Sequence, residues 1–189
     1  MDKEFKNHSR GKLIGLDIST SITGWTVLSL DDGSVEDMGY IDLRKLKNLW
    51  LKTDKSILEL SELTKKYNIQ HIFVEESLQM FRSGMSSSKT LSTLAKFNGL
   101  LSYGVRNLAE QEPQYLSASS ARKTCGIQVR RGPDQLPAKK QAFKWVTEKL
   151  KKDWPVTKKG NIQQYCYDQA DSFVIATAGW LQLNCNVNS

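Results

Sequence analysis

The chain has 189 residues, 39% of them hydrophobic and 25% charged, with a formal net charge of +7. This is the composition of a soluble globular protein with a sizeable core, sufficient for one domain. It excludes a membrane-spanning chain, since no apolar run approaches the roughly 20 residues a bilayer requires. Three widely spaced cysteines (Cys125, Cys166 and Cys185) exclude both a disulfide framework and a zinc motif.

Residues 1–11 read as a polar, flexible leader without the apolar centre of a signal peptide, so an intracellular, soluble location is expected. The first organised stretch, Leu13-Ile14-Gly15-Leu16, fits a buried strand and runs directly into Asp17. A carboxylate there is costly to bury without a partner. The plainer alternative is that Asp17 caps the turn after Ile18. Small polar residues and Gly24 follow. Apolar residues then resume with Trp25, Val27, Leu28 and Leu30, before a turn at Asp31-Asp32-Gly33 and a third strand over 35–41. Together these stretches predict a meander.

Residues 43–67 carry helical spacing (Leu46, Leu49, Trp50, then Ile57, Leu60, Leu63) and close on Lys65 and Lys66. A fourth strand, 69–76, again runs from apolar residues into acid, here Glu75 and Glu76. A loop rich in Ser, Met and Gly leads to a helix that starts among Ser86 to Ser88 and ends near Glu110. A short fifth strand spans 113–117. Ser119 or Ser120 caps a helical piece over 121–125, and a long basic loop spans 126–137. Residues 139–152 return to helix, and a last helix spans 165–183, followed by a tail, 184–189. Among the five tryptophans, Trp154 beside Pro155 is the one expected to be exposed, and Cys125 and Cys166 are expected in the core. One domain over 12–183 follows, with a mixed sheet covered by helices on both faces.

Charge is unevenly spread. From Ala118 to Lys140 there are six basic residues (Arg122, Lys123, Arg130, Arg131, Lys139, Lys140) against one acid, Asp134. Such a surface suits a polyanion, most simply nucleic acid; a solvated lysine-rich face is the plainer alternative.

Asp17, Glu75 and the pair Asp168 and Asp171 share a logic. The first two end apolar strands, and the last two lie at i, i+3 on one helix face. If the first and fourth strands are neighbours and the last helix crosses them, four carboxylates meet. They cannot all stay ionised without a cation. Oxygen-rich sites of this kind take magnesium or manganese, and two such ions spaced roughly 4 Å apart serve phosphodiester hydrolysis. Taken singly, each acid also has an ordinary explanation as a turn cap, a solvated strand end or a helix-dipole partner.

The segments Ile14-Gly-Leu-Asp-Ile-Ser-Thr-Ser-Ile-Thr-Gly-Trp25, Phe73-Val-Glu-Glu76 and Asp168-Gln-Ala-Asp-Ser-Phe-Val-Ile-Ala176 together resemble the RuvC-type Holliday-junction resolvases of the ribonuclease H-like superfamily. The resemblance spans about residues 12 to 180. It implies an α/β fold with a five-stranded mixed sheet, an antiparallel meander of strands 1–3 followed by parallel strands 4 and 5, flanked by helices. It implies that Asp17, Glu75, Asp168 and Asp171 hold two Mg2+ or Mn2+ ions, with Glu75 preferred to Glu76 because the family's acid follows the apolar pair directly. Lys139 or Lys140 would steady the scissile phosphate. Phe81 would meet the branch point, and Arg82, Ser86, Ser87, Ser88, Lys89, Arg122, Lys123, Arg130 and Arg131 would contact DNA. A homodimer acting on branched DNA is implied, with no membrane partner and no small-molecule cofactor. The usual Asp-Pro-Gly after strand one is here Asp17-Ile18-Ser19, and the segment 126–137 is long. Both departures imply a divergent member, of viral or organellar kind.

Three other readings use the same residues. Sugar-kinase and actin-type ATPases share the opening strand and acid but need two such domains. A ribonuclease H-like nuclease on RNA–DNA hybrids or flaps would use the same acids. A non-catalytic DNA-binding module would need the basic surface but not the acids.

Overall fold

The apolar runs pair into one sheet. The computed structural model describes residues 11–76 and 88–185. Among them the order is β1 (Lys12–Asp17), β2 (Ile22–Ser29), β3 (Val35–Asp42), α1 (Leu49–Lys66), β4 (Ile69–Glu75), α2 (Ser88–Ala109), β5 (Pro113–Leu116), α3 (Ala118–Thr124), α4 (Ala138–Leu150) and α5 (Gln164–Cys185). The sheet order is β3-β2-β1-β4-β5. Strands β1 to β3 form the antiparallel meander, β4 runs parallel to β1, and β5 runs parallel to β4. This is the expected mixed sheet of the ribonuclease H-like type. The leader up to residue 10, the residues beyond Cys185, and the loop 77–87 with Phe81, Arg82, Ser86 and Ser87 lie outside the described residues.

Strand alternation assigns each side chain to a face. Ile14, Leu16, Ile72 and Val74 point into a core shared with Leu60 and Leu63 of α1 and Phe97, Leu101 and Val105 of α2. Leu13 and Phe73 point the opposite way, into a core built by α3, α4 and α5. By the same parity Asp17 and Glu75 lie on the α5 side. The sheet is therefore covered on both faces, and both strand-end acids share a face with the last helix.

Helix α5 approaches the sheet closely because small residues line its path. A Cβ on Gly24 would stand 2.0 Å from the Asp168 carbonyl oxygen, and one on Gly15 would stand 2.5 Å from the Ala176 nitrogen. Gly24 is the β2 residue opposite Asp17. The absence of a side chain there thus sets the distance between the strand acid and the helix acids. A buried hydrogen bond at 2.8 Å between the Thr26 and Ser172 hydroxyls ties the same helix turn to β2.

The structure corrects several local expectations. Helix α1 starts at Leu49 rather than 43, because the Asn48 side chain accepts the Trp50 N–H and caps it. Leu43 is buried all the same, held where its N–H donates to the Ser21 carbonyl. Ser117, not Ser119 or Ser120, caps α3, accepting the Ser120 N–H. Helix α4 stops at Leu150, where Lys151 turns left-handed with φ 48°. Trp154 is not the exposed tryptophan: it is 8% exposed, packs on Phe143 and donates to the Thr147 hydroxyl at 2.9 Å. Trp50, at 63%, is exposed instead. Cys166 is buried as expected, and Cys125 is half-buried.

Substituting Gly24→Ala is expected to destabilise the protein by about 1–3 kcal/mol, the scale of an overpacked core. In thermal denaturation this should read as a Tm drop of roughly 2–4 °C per kcal/mol. Gly99→Ala, on an exposed turn of α2 with nothing within 4 Å, should leave Tm unchanged or raise it.

Candidate active site

Asp17 ends β1 where the strand meets its first polar turn. That turn is capped by Ser19, whose hydroxyl accepts the N–H groups of Ser21 and Ile22, both at 3.2 Å. Asp17 as a whole residue is half-buried, and strand parity with Leu13 turns it to the α5 side. Burial first, then the charges of Glu75 and Asp171, push its carboxyl well above the usual range, against the Lys139 ammonium. Glu75 behaves alike: burial and then Asp171 push it up to about 7, against Arg122 and Lys139. Glu76, one residue on and on the opposite face, is exposed.

Asp168 and Asp171 lie on α5 and are each only 7% exposed. Acids that merely answered the helix dipole would be solvated. Burial, opposed by Lys139, raises the Asp168 carboxyl. The Lys139 ammonium stands 3.0 Å from Asp168 Oδ1 and 2.9 Å from Asp171 Oδ2. Burial works against its charge, but Asp171, Asp17 and Asp168 together outweigh that and raise its pKa. Arg122 Nη2 stands 3.7 Å from Asp171 Oδ1.

The four sequence-marked acids therefore share one electrostatic environment, drawn from β1, β4 and α5. Lys139 joins them from α4, and Arg122 from α3. Lys140, about 100° further round α4, is exposed and pairs with none of them. Lys123, Arg130 and Arg131 are exposed on α3 and the basic loop, and Ser88 and Lys89 are exposed at the start of α2. One contributor escapes the sequence reading. Arg44, after β3, is held by Asp42 through two hydrogen bonds of 2.9 and 2.7 Å, and its charge reaches Asp168. The spacing Asp42-x-Arg44, a side-chain pair that folds the chain back, is the signal that could have found it.

The donor set suits a divalent cation. It consists of carboxylate oxygens, three of the acids (Asp17, Glu75 and Asp168) are held in unfavourable ionisation by burial and by neighbouring carboxylates, and hard oxygen donors select magnesium or manganese. As they stand, no three His, Cys, Asp or Glu side chains among the described residues form a ready-made ion site. The Lys139 ammonium occupies the space between Asp168 and Asp171.

No protein-family model and no curated protein matches the sequence. Solved structures do match the fold. RuvC of Thermus thermophilus, in complex with a Holliday junction substrate, is 14% identical with a TM-score of 0.63, over 92% of this chain and 95% of its own. A second structure of that protein gives 11% and 0.64, over 93% and 96%. The yeast mitochondrial Holliday junction resolvase gives 16% and 0.59, over 93% of this chain and 80% of its own.

Two consequences concern stability in chelator. A carboxyl raised to about 7 binds its proton more tightly folded than unfolded. The Glu75 contribution is therefore fully present below about pH 4.5 and is lost as pH rises through about 7. Glu75→Gln should raise Tm at pH 8, by roughly 2–4 °C per kcal/mol recovered, and leave it nearly unchanged at pH 4. Lys139→Met, which leaves Asp168 and Asp171 without their ammonium, should lower Tm in chelator by several degrees. The same variant should gain more Tm than wild type on addition of Mn2+, read by differential scanning fluorimetry.

The sheet order, the strand directions and these structural matches agree: the chain has the fold of the RuvC-type resolvases across nearly its whole described length.

Proposed function

We propose that the protein is a structure-selective endonuclease that hydrolyses phosphodiester bonds of four-way DNA junctions. The observation that carries this reading is the convergence of Asp17, Glu75, Asp168 and Asp171 around Lys139 on one face of the sheet. The fold supports it, since RuvC of the same fold has been seen with a Holliday junction.

In this reading Asp17, Glu75, Asp168 and Asp171 would hold two divalent ions, Mg2+ or Mn2+, which would supply a water activated near neutral pH and charge to offset the leaving oxygen. The water oxygen bonds to phosphorus, the bond to the 3′ oxygen breaks, and that oxygen takes up a proton. The products are a 5′-phosphate and a 3′-hydroxyl, which a ligase can rejoin. Lys139, which pairs with Asp168 and Asp171, would neutralise a scissile phosphate as a point charge. Arg122 stands on the other side of Asp171 for the same duty.

Resolution of a junction needs two symmetric cuts, so the working form is a two-fold homodimer. An apolar groove of about 590 Å3 where α1 meets α2, with Trp50 and Tyr103 63% and 66% exposed, supports a face covered by another chain. Among the described residues no helix is long and apolar enough to cross a membrane.

The test is cleavage of synthetic four-way junction, linear duplex and RNA–DNA hybrid, with Mg2+ or Mn2+ and with chelator. Junction cutting that needs the metal and exceeds duplex and hybrid cutting is expected. Equal cutting of all three would reduce the assignment to a general ribonuclease H-like nuclease. Asp17→Asn should lose more activity than the roughly 10–100-fold typical of a group behind a metal ligand. Its junction affinity should stay near wild type; a protein indifferent to this change would be a binding module and not an enzyme.

A further inference from the structure

Between α3 and α4 a cleft of about 620 Å3 opens to solvent. This lies within the roughly 300–1,000 Å3 typical of sites that take small ligands. Four cations line it: Arg122, Lys123, Arg130 and Arg131. Its apolar lining is Ile127, Val129 and Leu136. Ile127 is buried, while Leu136 is 52% exposed, an apolar side chain left uncovered among guanidinium groups.

The loop that forms the cavity has a defined shape. A single side chain, Gln141 of α4, holds it. Its amide nitrogen donates to the carbonyls of Arg130 at 2.8 Å and Leu136 at 2.6 Å, and its oxygen accepts the Arg130 N–H at 2.9 Å. The middle and the C-terminal end of the basic loop are thereby fixed to the helix that carries Lys139.

The cavity also adjoins the acids. Arg122 lines it and stands 3.7 Å from Asp171. Pro137 and Ala138 line it, and the next residue, Lys139, pairs with Asp168 and Asp171. A strand with a phosphate at the acids has a neighbouring nucleotide within reach of this space.

Charge and apolarity together narrow the occupant. Duplex backbone offers phosphates to a cationic surface but nothing to an apolar floor. A nucleotide out of its stack offers both, a phosphate and a ring face for the guanidinium groups and an apolar surface for Ile127, Val129 and Leu136. We propose that this cavity takes one unpaired nucleotide of the cleaved strand, beside the scissile phosphate. This rests on the nuclease reading and deepens it. Unpaired nucleotides occur where strands exchange at a branch point, so the cavity gives the enzyme a means of selecting junctions over continuous duplex. A free mononucleotide or inorganic phosphate shares part of this chemistry and is separated by the test.

The experiment uses full-length Asp17→Asn protein in chelator, with 2-aminopurine moved one position at a time through the branch-point region of a four-way junction. Its fluorescence rises when the base leaves the stack. One position is expected to brighten on binding. Leu136→Ser, at an exposed site, should abolish that rise and weaken junction binding about fivefold, the scale of the apolar burial lost with part of a leucine side chain. Duplex affinity and Tm should be unchanged. Gln141→Ala should act in the same direction through the loop. Binding with no brightened position, or a rise that both variants leave intact, overturns the inference while the nuclease reading stands. Saturation of the free protein by adenosine monophosphate or inorganic phosphate at micromolar concentration also overturns it. Wild-type protein that cuts neither junction nor hybrid with Mn2+ sinks the nuclease reading and this inference with it.

Discussion

The backbone of helix α5 must reach the backbone of the sheet, and the geometry of the acids depends on that contact. At Gly24 the Asp168 carbonyl comes to a distance that any Cβ would forbid, and at Gly15 the helix does the same about two turns further on, at Ala176. Two such contacts fix both the height of the helix above the sheet and its position along its own axis. A slip of one residue would move the helix by about 1.5 Å and turn it by about 100°. Either change would carry Asp168 and Asp171 away from Asp17 and Glu75. The apolar face around Phe73, Val174 and Ala176 supplies the burial that holds the helix down, while the glycines decide where it stops.

That closeness has an electrostatic cost. Burial and mutual repulsion raise the carboxyls of Asp17, Glu75 and Asp168. Lys139 and Arg122 offset part of this from α4 and α3. Four carboxylates face these two cations, so once all are ionised the cluster remains an attractor of positive charge even with Lys139 in place. An apolar filling of the same space would be more stable. Retaining like charges in a half-dry recess is the kind of local disfavour that folds carry at functional sites.

Much of this is legible in the amino-acid sequence, for a definable reason. Strand periodicity is local, so the alternation of Leu13 to Asp17 and of Phe73 to Glu75 assigns their faces by itself, and the i, i+3 spacing marks the helix pair. Parity also explains why Glu75 meets the other acids and Glu76 does not. What does not read out depends on partners distant along the chain or on competing caps. Leu43 has the apolar character and spacing of a helical residue, yet its bond to Ser21 holds it in the core ahead of the helix. Ser117 prevails over Ser119 and Ser120 as a cap through backbone geometry that composition does not encode. Trp154 has the look of an exposed residue beside a proline, but Phe143 and Thr147 receive it. Lys139 and Lys140 are equivalent as letters, and only the azimuth of α4 relative to α5 separates them.

The net charge of +7 gains meaning from its distribution. On the α1 side several cations are matched, Lys55 with Glu59, Lys65 with Glu62, Lys66 with Asp37, and Lys12 with Glu36, while Lys52 donates to the Thr20 carbonyl. These pairs make a solvated surface of mixed sign, each pair contributing little to stability. Around α3, the basic loop and the start of α4 the pattern differs. Among the described residues Lys123, Arg130, Arg131 and Lys140 form no ion pair, and Arg122 and Lys139 spend their charge on the buried acids. A lysine-rich face that served only solubility would have no reason to leave its uncompensated cations at the rim of an acid cluster. In the proposed nuclease they would raise the local concentration of a polyanion whose phosphates four carboxylates alone would repel. On the proposed function, the basic rim and the acidic recess are two halves of one electrostatic arrangement: the rim would draw the phosphates in and the acids would hold the ions that act on them.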